Sequence, residues 1–576
     1  MLDSDSVKEK PVENELLETL APDDTVADTG NSAPIDGSPG GIGRCLGVFD
    51  CTMLIVGSII GTGIFSTPSS ILVSVGSVGA SLMLWVLGFL LSFCGLFVWL
   101  EYGTMFPRSG GEKVYLEVVY KKPKYLVTVI FAMKAILLGF TASGCIVFAN
   151  NILVAAGQPA TRWVVRGIAL GVIFFVTFLH GFAPRVGVHL MNVSPRVHDT
   201  VESPTTDLDQ CLSLFKIAIL IFIVISGWAV LSGKTDIADP HANFQHAFAG
   251  SSTRSNNYAA ATFKVLNAYT GWSTVNYVLN DVKNPVRTLK IAGPLGLAIC
   301  AVLYILANIS YFAAATKEEI ATAGVTVASL FFRKVFGRVA QRALSVFVAL
   351  RCDDMCIFYV ATTHSVLSHL QKRVGSESTV TALNNVITVT FAASRVNQEL
   401  AKEGIPLPFG NRFWASNWPT GRSPLPGLII HLIPSVIVIM APPPQIVYPF
   451  ILDVEGYPQQ IINFFIVIGL FWLRYHKPSV IRPFKVWWPL AVFFLAAAVF
   501  LMIAPFLPPA DGIGDTPPLP YYLYCLVGIG ILLLGIVYWG IWRIVLPKAF
   551  GYYLTPRKET LADGTVVTVF SHAATD

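Results

Sequence analysis

The chain reads as an all-α polytopic membrane protein with twelve transmembrane helices. Apolar residues make up 54% of its 576 residues and charged residues only 13%. Mean hydropathy is +0.62, far above that of a soluble globular chain. Apolar runs of about 20 residues, long enough to cross a bilayer as a helix, recur along it. They centre near residues 60, 92, 140, 173, 222, 268, 302, 348 together with 388, 433, 462, 495 and 532. The first run is broken by small residues, in Val56-Gly57-Ser58-Ile59-Ile60-Gly61-Thr62-Gly63-Ile64-Phe65. A membrane helix that unwinds at mid-depth to expose backbone groups to a ligand needs that combination.

The flanks differ from this body. Residues 1–45 are polar, acidic and rich in Pro and Gly, with no apolar run. That excludes a cleaved signal peptide and predicts a disordered cytosolic tail. Residues 46–549 form the expected transmembrane domain, and 550–576 a shorter cytosolic C-terminal tail. Lys and Arg placement sets the topology. With the N-terminus in the cytosol, loop 2–3 puts Arg108, Lys113, Lys121, Lys122 and Lys124 inside. Loop 6–7 adds Lys283, Arg287 and Lys290, and loop 10–11 adds Arg474, Lys477, Arg482 and Lys485. The stretch from Lys317 to Arg342 is the exception, a basic loop expected outside. An even helix count returns the C-terminus to the cytosol. The net charge of +5 follows from this bias and implies no nucleic-acid partner. Nine cysteines give no metal or disulfide framework, and Cys352-x-x-x-Cys356 is not a zinc spacing. No GxxxxGK[ST] motif is present, which argues against an ATP-driven pump. No cofactor is expected.

A free amino acid in a membrane-buried site needs its two charges satisfied without water. The N-terminus of a half-helix offers N–H groups and a positive dipole end to a carboxylate. Gly61 and Gly63 permit the unwound backbone; small residues there are also what close helix packing requires. The sixth segment repeats the pattern five helices later, in Asn267-Ala268-Tyr269-Thr270-Gly271-Trp272. Paired interruptions in two halves point to an inverted repeat and a midplane site. The freed carbonyls of the second break can accept hydrogen bonds from an ammonium.

These stretches resemble the amino acid–polyamine–organocation superfamily, and within it the L-type amino acid transporters. The matching motifs are GSIIGTGIF (57–65), MFPRSGGEKVYL (105–116), AYTGWSTVNYV (268–278) and NPVRTLKIA (284–292). Further stretches are similar to the fungal methionine permeases: SRVNQELAKEGIPLP (394–408), RFWASNWP (412–419), FILDVEGYP (450–458) and RPFKVWWP (482–489). The resemblance implies a five-plus-five inverted repeat with helices 1 and 6 broken, followed by two more helices. It implies a substrate-binding set of Ile59, Gly61, Thr62 and Gly63 at the first break. At the second break the set is Asn267, Ala268, Tyr269 and Thr270. Asn267 stands where the family commonly has a bulky aromatic. The resemblance also implies import of neutral amino acids, methionine foremost, across the plasma membrane by proton-coupled alternating access. A broad neutral amino acid exchanger and a non-transporting amino acid receptor are the alternatives. Animal L-type exchangers attach a disulfide-linked heavy subunit in external loop 3–4. The loop here, Gly157 to Trp163, has no cysteine, so no such partner is expected.

Ionisable residues at membrane depth cost at least about 2.5–3.5 kcal/mol and need a reason. Lys216 opens the fifth segment. In sodium-independent relatives a lysine there replaces the sodium ion, which makes it the coupling residue; snorkelling to the cytosolic interface is the other reading. Lys134, in the middle of the third segment, reads as a tolerated or cavity-facing substitution. Glu101 at the inner end of the second segment is expected to pair with basic groups. Asp453 and Glu455 are placed at the external opening of the tenth segment, as proton relay or exposed loop. His180 and His431 read as structural. Two stretches, 193–210 and 351–380, break the family pattern, and the second splits the eighth segment with eight charged or His residues. Both read as translated introns: Val193-Ser194 is compatible with a GTGAGT donor and Gln210 with a CAG acceptor.

Overall fold

The structure is a computed structural model that describes residues 47–106, 111–183, 205–237, 239–277, 282, 284–347, 380–405, 410–418, 424–441, 444–509, 516–561 and 566–574. The chain is almost wholly helical. Among the described residues, ten helices are long and apolar enough to cross a membrane, and Leu425–Met440 is a shorter apolar helix. The protein is a multi-pass membrane protein. The count differs from twelve for local reasons. The sixth segment stops as a helix after 14 residues at its break, and the eighth and ninth are too polar or too short to qualify. Conversely, Lys317–Arg338, expected as an external loop, is apolar enough to count as a span.

The first segment is three helices: α1 (Val48–Ile59), α2 (Gly63–Ser66) and α3 (Pro68–Val75). Ile60 leaves the helix in an extended conformation. Gly76, in the left-handed region at φ 74°, ends α3 and lets the chain turn into α4 (Val78–Met105). Ser77 caps α4, its hydroxyl accepting the Ala80 N–H at 3.3 Å. After α5 (Glu112–Val119), the third segment is also interrupted: α6 (Leu126–Leu138) and α7 (Ala142–Ala155) meet at Gly139. Then follow α8 (Arg162–Phe182), α9 (Thr205–Leu231), α10 (Ala242–Gln245) and α11 (Ser255–Ala268). After the second break come α12 (Pro285–Ala314), α13 (Lys317–Ala323), α14 (Val327–Phe347) and α15 (Val380–Lys402). The chain closes with α16 (Asn411–Ala415), α17 (Leu425–Met440), α18 (Pro444–His476), α19 (Trp488–Ile503), α20 (Leu523–Gly540) and α21 (Leu546–Phe550). Most of the stretch 351–380 lies outside the described residues, as does most of 193–210.

Helices α1, α3, α4, α11 and α12 share one buried core; α7, α8, α17, α18 and α20 share another. Large apolar side chains that point away from both, such as Phe174, Phe178, Ile225, Trp228 and Val537, are the outer face that lipid covers. The segment expected as a C-terminal tail folds instead. Strands Tyr552–Thr560 and Val566–Ala574 form an antiparallel hairpin. It packs Val567 against Ala401, Trp414 and Ala415, and Phe570 against Tyr125 and Trp542. Arg412 pairs with Glu559 at 2.6 Å.

At the end of α4, Glu101 is fully buried and does pair as expected. Arg474 on α18 grips it with two nitrogens, its Nε donating to Oε1 at 2.9 Å. The Val486 N–H donates to Oε2 at 2.8 Å, and Arg474 returns a bond to the Val486 carbonyl at 2.7 Å. Arg482 stands 3.7 Å from Oε1 and donates to the carbonyls of Leu473 and Lys477, finishing α18. Removing one partner of a buried, hydrogen-bonded pair leaves the other charge uncompensated, which costs about 3–5 kcal/mol. Glu101→Gln should therefore lower the thermal unfolding midpoint of the detergent-solubilised protein, and adding Arg474→Leu should restore part of it. An unchanged midpoint in the single variant would show that the pair contributes nothing to the fold.

Candidate functional site

The two breaks meet. A Cβ on Gly63 would lie 2.8 Å from the Cα of Ala268, and one on Gly271 (φ 122°) would lie 2.7 Å from the carbonyl carbon of Ser58. Only glycine allows that approach at either place. Between them stands Tyr304 of α12, fully buried. Its hydroxyl donates to the carbonyl of Ile59 at 2.8 Å and of Ala268 at 3.2 Å, sharing one proton between them. The Gly61 N–H lies within hydrogen-bonding reach of the same oxygen. One side chain thus holds the ends of α1 and α11 together.

A helix leaves its last four carbonyls unpaired, and at α1 three of them are met individually. Val56 accepts the Ile60 N–H at 2.9 Å, Ile59 accepts Tyr304, and Gly57 accepts the Lys216 ammonium from α9 at 2.5 Å. A cation at the negative end of a helix is favourable. The helix α9 starts at Thr205, three turns before Lys216, so the residue does not open it as expected. Ser213, one turn earlier, donates to the Met53 carbonyl at 2.8 Å, and a Cβ on Gly57 would strike its hydroxyl at 2.4 Å.

Gly61, Thr62 and Gly63 are half-buried, whereas Ile59 is buried. At the second break the Asn267 carbonyl accepts the Thr270 N–H at 3.0 Å, and the Leu266 carbonyl accepts the Thr270 hydroxyl at 3.1 Å. The Tyr269 ring is wholly buried against Trp85 and Tyr304, with centroids 5.9 and 5.2 Å away. Any part it takes in binding falls to its backbone.

Beside the second break lies a cavity of about 450 Å³, within the range of roughly 300–1,000 Å³ usual for ligand sites. Asn267, Thr270 and the chain from Gly271 to Thr274 form one wall. Phe494, Ala498 and Leu501 of α19 form an apolar one, and Gly139, at the break in the third segment, another part. Gly61, Thr62 and Gly63 stand outside its lining; Gly63 packs against Ala268, the neighbour of the lining residue Asn267. Three of its lining residues are charged: Glu112, Lys134 and Glu455. Lys134 donates to the side-chain amide oxygen of Gln459 and lies 3.9 Å from Glu112. The Gln459 amide donates to Glu112 and to Asn463, both at 3.0 Å. Glu455 is hydrogen-bonded with Asn267 and within electrostatic range of Lys134.

Lys134 faces the cavity, one of the two readings expected of it, as part of a charged cluster on the wall. One expectation is corrected here. Asp453 and Glu455 are not at the mouth of the tenth segment, because α18 begins at Pro444, more than two turns earlier. Asp453 is buried. The cluster had a signal in the sequence: Glu455, Gln459 and Asn463 recur every four residues, which puts them on one helix face. A further buried charge is Lys264 in α11, 1% exposed, which donates to the Ser74 hydroxyl of α3 at 2.9 Å. It ties the second half of the first segment to the first half of the sixth.

An amino acid permease family model matches residues 46–198, 205–369 and 378–532. Its gaps fall inside the two unusual stretches. The chain is 35% identical to the high-affinity methionine permease of Saccharomyces cerevisiae, over 90% of this chain and 82% of that one. It is 30% identical to the low-affinity methionine permease of the same yeast, over 91% and 87%. The mouse b(0,+)-type amino acid transporter 1 is 26% identical over 86% and 87%.

The two glycines of the first break differ in the room they have. A Cβ on Gly61 would meet only the Ile59 carbonyl at 3.9 Å. Gly63→Ala should therefore cut the yield of monodisperse folded protein on size-exclusion chromatography, and Gly61→Ala should not. Equal yields would mean that the helix contact at Ala268 is not as tight as described.

Proposed function

The chain belongs to the amino acid permease family, and from that premise we propose that it is a secondary active transporter importing neutral L-amino acids, methionine foremost, across the plasma membrane. It works by alternating access, with protons as the coupling ion and with twelve helices in a five-plus-five inverted repeat. Both termini lie in the cytosol, and no disulfide-linked heavy subunit takes part. The observation that carries this reading is the junction of two interrupted helices beside a cavity of ligand size. An interrupted helix 1 ending at a half-helix N-terminus suits a carboxylate, which Gly61, Thr62 and Gly63 receive. Carbonyl oxygens have two lone pairs, so Asn267, Ala268 and Thr270 retain capacity for an ammonium beside the bonds they already accept.

Methionine is favoured by charge as well as by kinship. The residues at both breaks are uncharged. A lysine or glutamate substrate would bury a side-chain charge with no partner at either break, which is costly. Lys216 acts as the fixed cation at the end of α1, in the place of a metal ion. The stretches 193–210 and 351–380 are translated introns, a reading that a transcript containing both would overturn.

Labelled methionine uptake by cells expressing the chain should fall with excess methionine, less with cysteine or leucine, and not with lysine or glutamate. A protonophore should suppress it. Strong competition by glutamate would overturn the neutral-substrate assignment; exchange insensitive to protonophore would favour the exchanger. Gly61→Val and Gly63→Val should abolish uptake, the first by crowding the ligand and the second by crowding Ala268. Lys216→Ala should suppress uptake more than surface abundance, and retained uptake would return Lys216 to a structural role.

A further inference from the structure

The cavity holds more negative than positive charge. Lys134 offers one ammonium to two carboxylates, Glu112 and Glu455, leaving a net −1 among the charged residues of its wall. An uncompensated charge at membrane depth is unfavourable, and taking up one proton removes it. The two carboxylates are not equivalent. Glu112 is held by the Gln459 amide at 3.0 Å and by Lys134 at 3.9 Å. Glu455 reaches the Asn267 amide instead, on the residue next to the end of α11.

We propose that Glu455 is the residue that carries the coupling proton, and that Asn267 passes its protonation state to the break after α11; this rests on the proton-coupled import reading above. An ionised Glu455 can only accept a bond, so Asn267 must present its NH₂. A protonated Glu455 can donate, so Asn267 can present its carbonyl and free its NH₂. The amide thus has two arrangements, one for each state of the acid, and it adjoins the Ala268 carbonyl that Tyr304 binds. In the outward-facing state a proton from external water forms an O–H bond with the carboxylate. In the inward-facing state that bond breaks, the proton passes to cytosolic water, and the carboxylate is restored. One positive charge crosses with each zwitterion.

The titratable groups around Glu455 are Lys134 on α6, Glu112 on α5, and Tyr448 two turns earlier on its own helix. The walls from α11 and α19 face the cavity with uncharged residues: Asn267, Thr270, Phe494, Ala497, Ala498 and Leu501. Asp453 lies within electrostatic range of Cys525 on α20 and is not part of the cavity wall.

The test uses the purified full chain in lipid vesicles, with labelled methionine. Wild type should exchange methionine at symmetric pH and accumulate it when the outside is made acidic. Glu455→Gln should still exchange above the background of empty vesicles, yet accumulate nothing beyond equilibrium, with a flat pH profile. Lys134→Met should raise the pH of half-maximal accumulation by about one unit, because a nearby cation favours the ionised carboxyl. Gradient-driven accumulation by Glu455→Gln equal to wild type would overturn the assignment. So would parallel loss of exchange and accumulation in a normally folded Gln variant. If that variant does not fold, Glu455→Asp decides: accumulation with a displaced pH profile supports the proposal, and an undisplaced profile overturns it. Wild-type vesicles that exchange without accumulating would remove the proton-coupled reading itself, and this assignment with it.

Discussion

One hydroxyl group holds the centre of this molecule. Tyr304 reaches the terminal carbonyl of α1 and of α11 together, and glycine at 63 and 271 lets the two chains touch. Exposed backbone at membrane depth is tolerated only where protein or a polar cavity surrounds it. Tyr304, Lys216 and the Ile60 amide answer that requirement at α1, and Tyr304 and Thr270 answer it at α11. Without them neither helix could stop where it does.

The polar side chains of the interior divide by consequence. The Glu101–Arg474 pair is closed off from solvent, with both carboxylate oxygens accepting bonds, so it serves the fold. The Lys134 cluster borders open space, and its bonds can be exchanged for others without burying an orphan charge. Their burial differs only in degree, with side chains 5% and 0% exposed for Arg474 and Glu101 and 19% and 11% for Lys134 and Glu112. What separates them is whether a cavity adjoins.

Both helix breaks were legible in the sequence because small and polar residues interrupt two apolar runs at corresponding places five helices apart, which close packing of one helix pair does not require. Family resemblance carried Gly61 to Gly63 and Asn267 to Thr270 further than the residues alone could. The third interruption was not legible, because Gly139 is a lone glycine in an apolar stretch and signals nothing until its neighbours are known. Glu455, Gln459 and Asn463 declared a common face by their spacing. That Glu112 and Lys134 stand opposite them is a tertiary fact, set by how α5, α6 and α18 pack. The C-terminal hairpin escaped notice for another reason: its strands alternate weakly, and it packs on residues more than 100 positions away, such as Ala401 and Trp414.

The buried ammonium of Lys264 bears on how the chain is made. Its helix, α11, also carries Asn256, Asn257 and Asn267, and at 14 residues it is too short to cross a bilayer by itself. A lysine at the centre of a lone span opposes insertion by about 2.5–3.5 kcal/mol. During synthesis this segment must therefore enter the bilayer beside earlier helices, with Ser74 already in position to receive the charge. Helix α12 follows immediately and is strongly apolar, so the ribosome delivers a retaining anchor just behind the reluctant segment. Biogenesis of this protein is then cooperative by necessity, and errors in α3 or α12 would surface as misinserted α11, far from the residue that was changed.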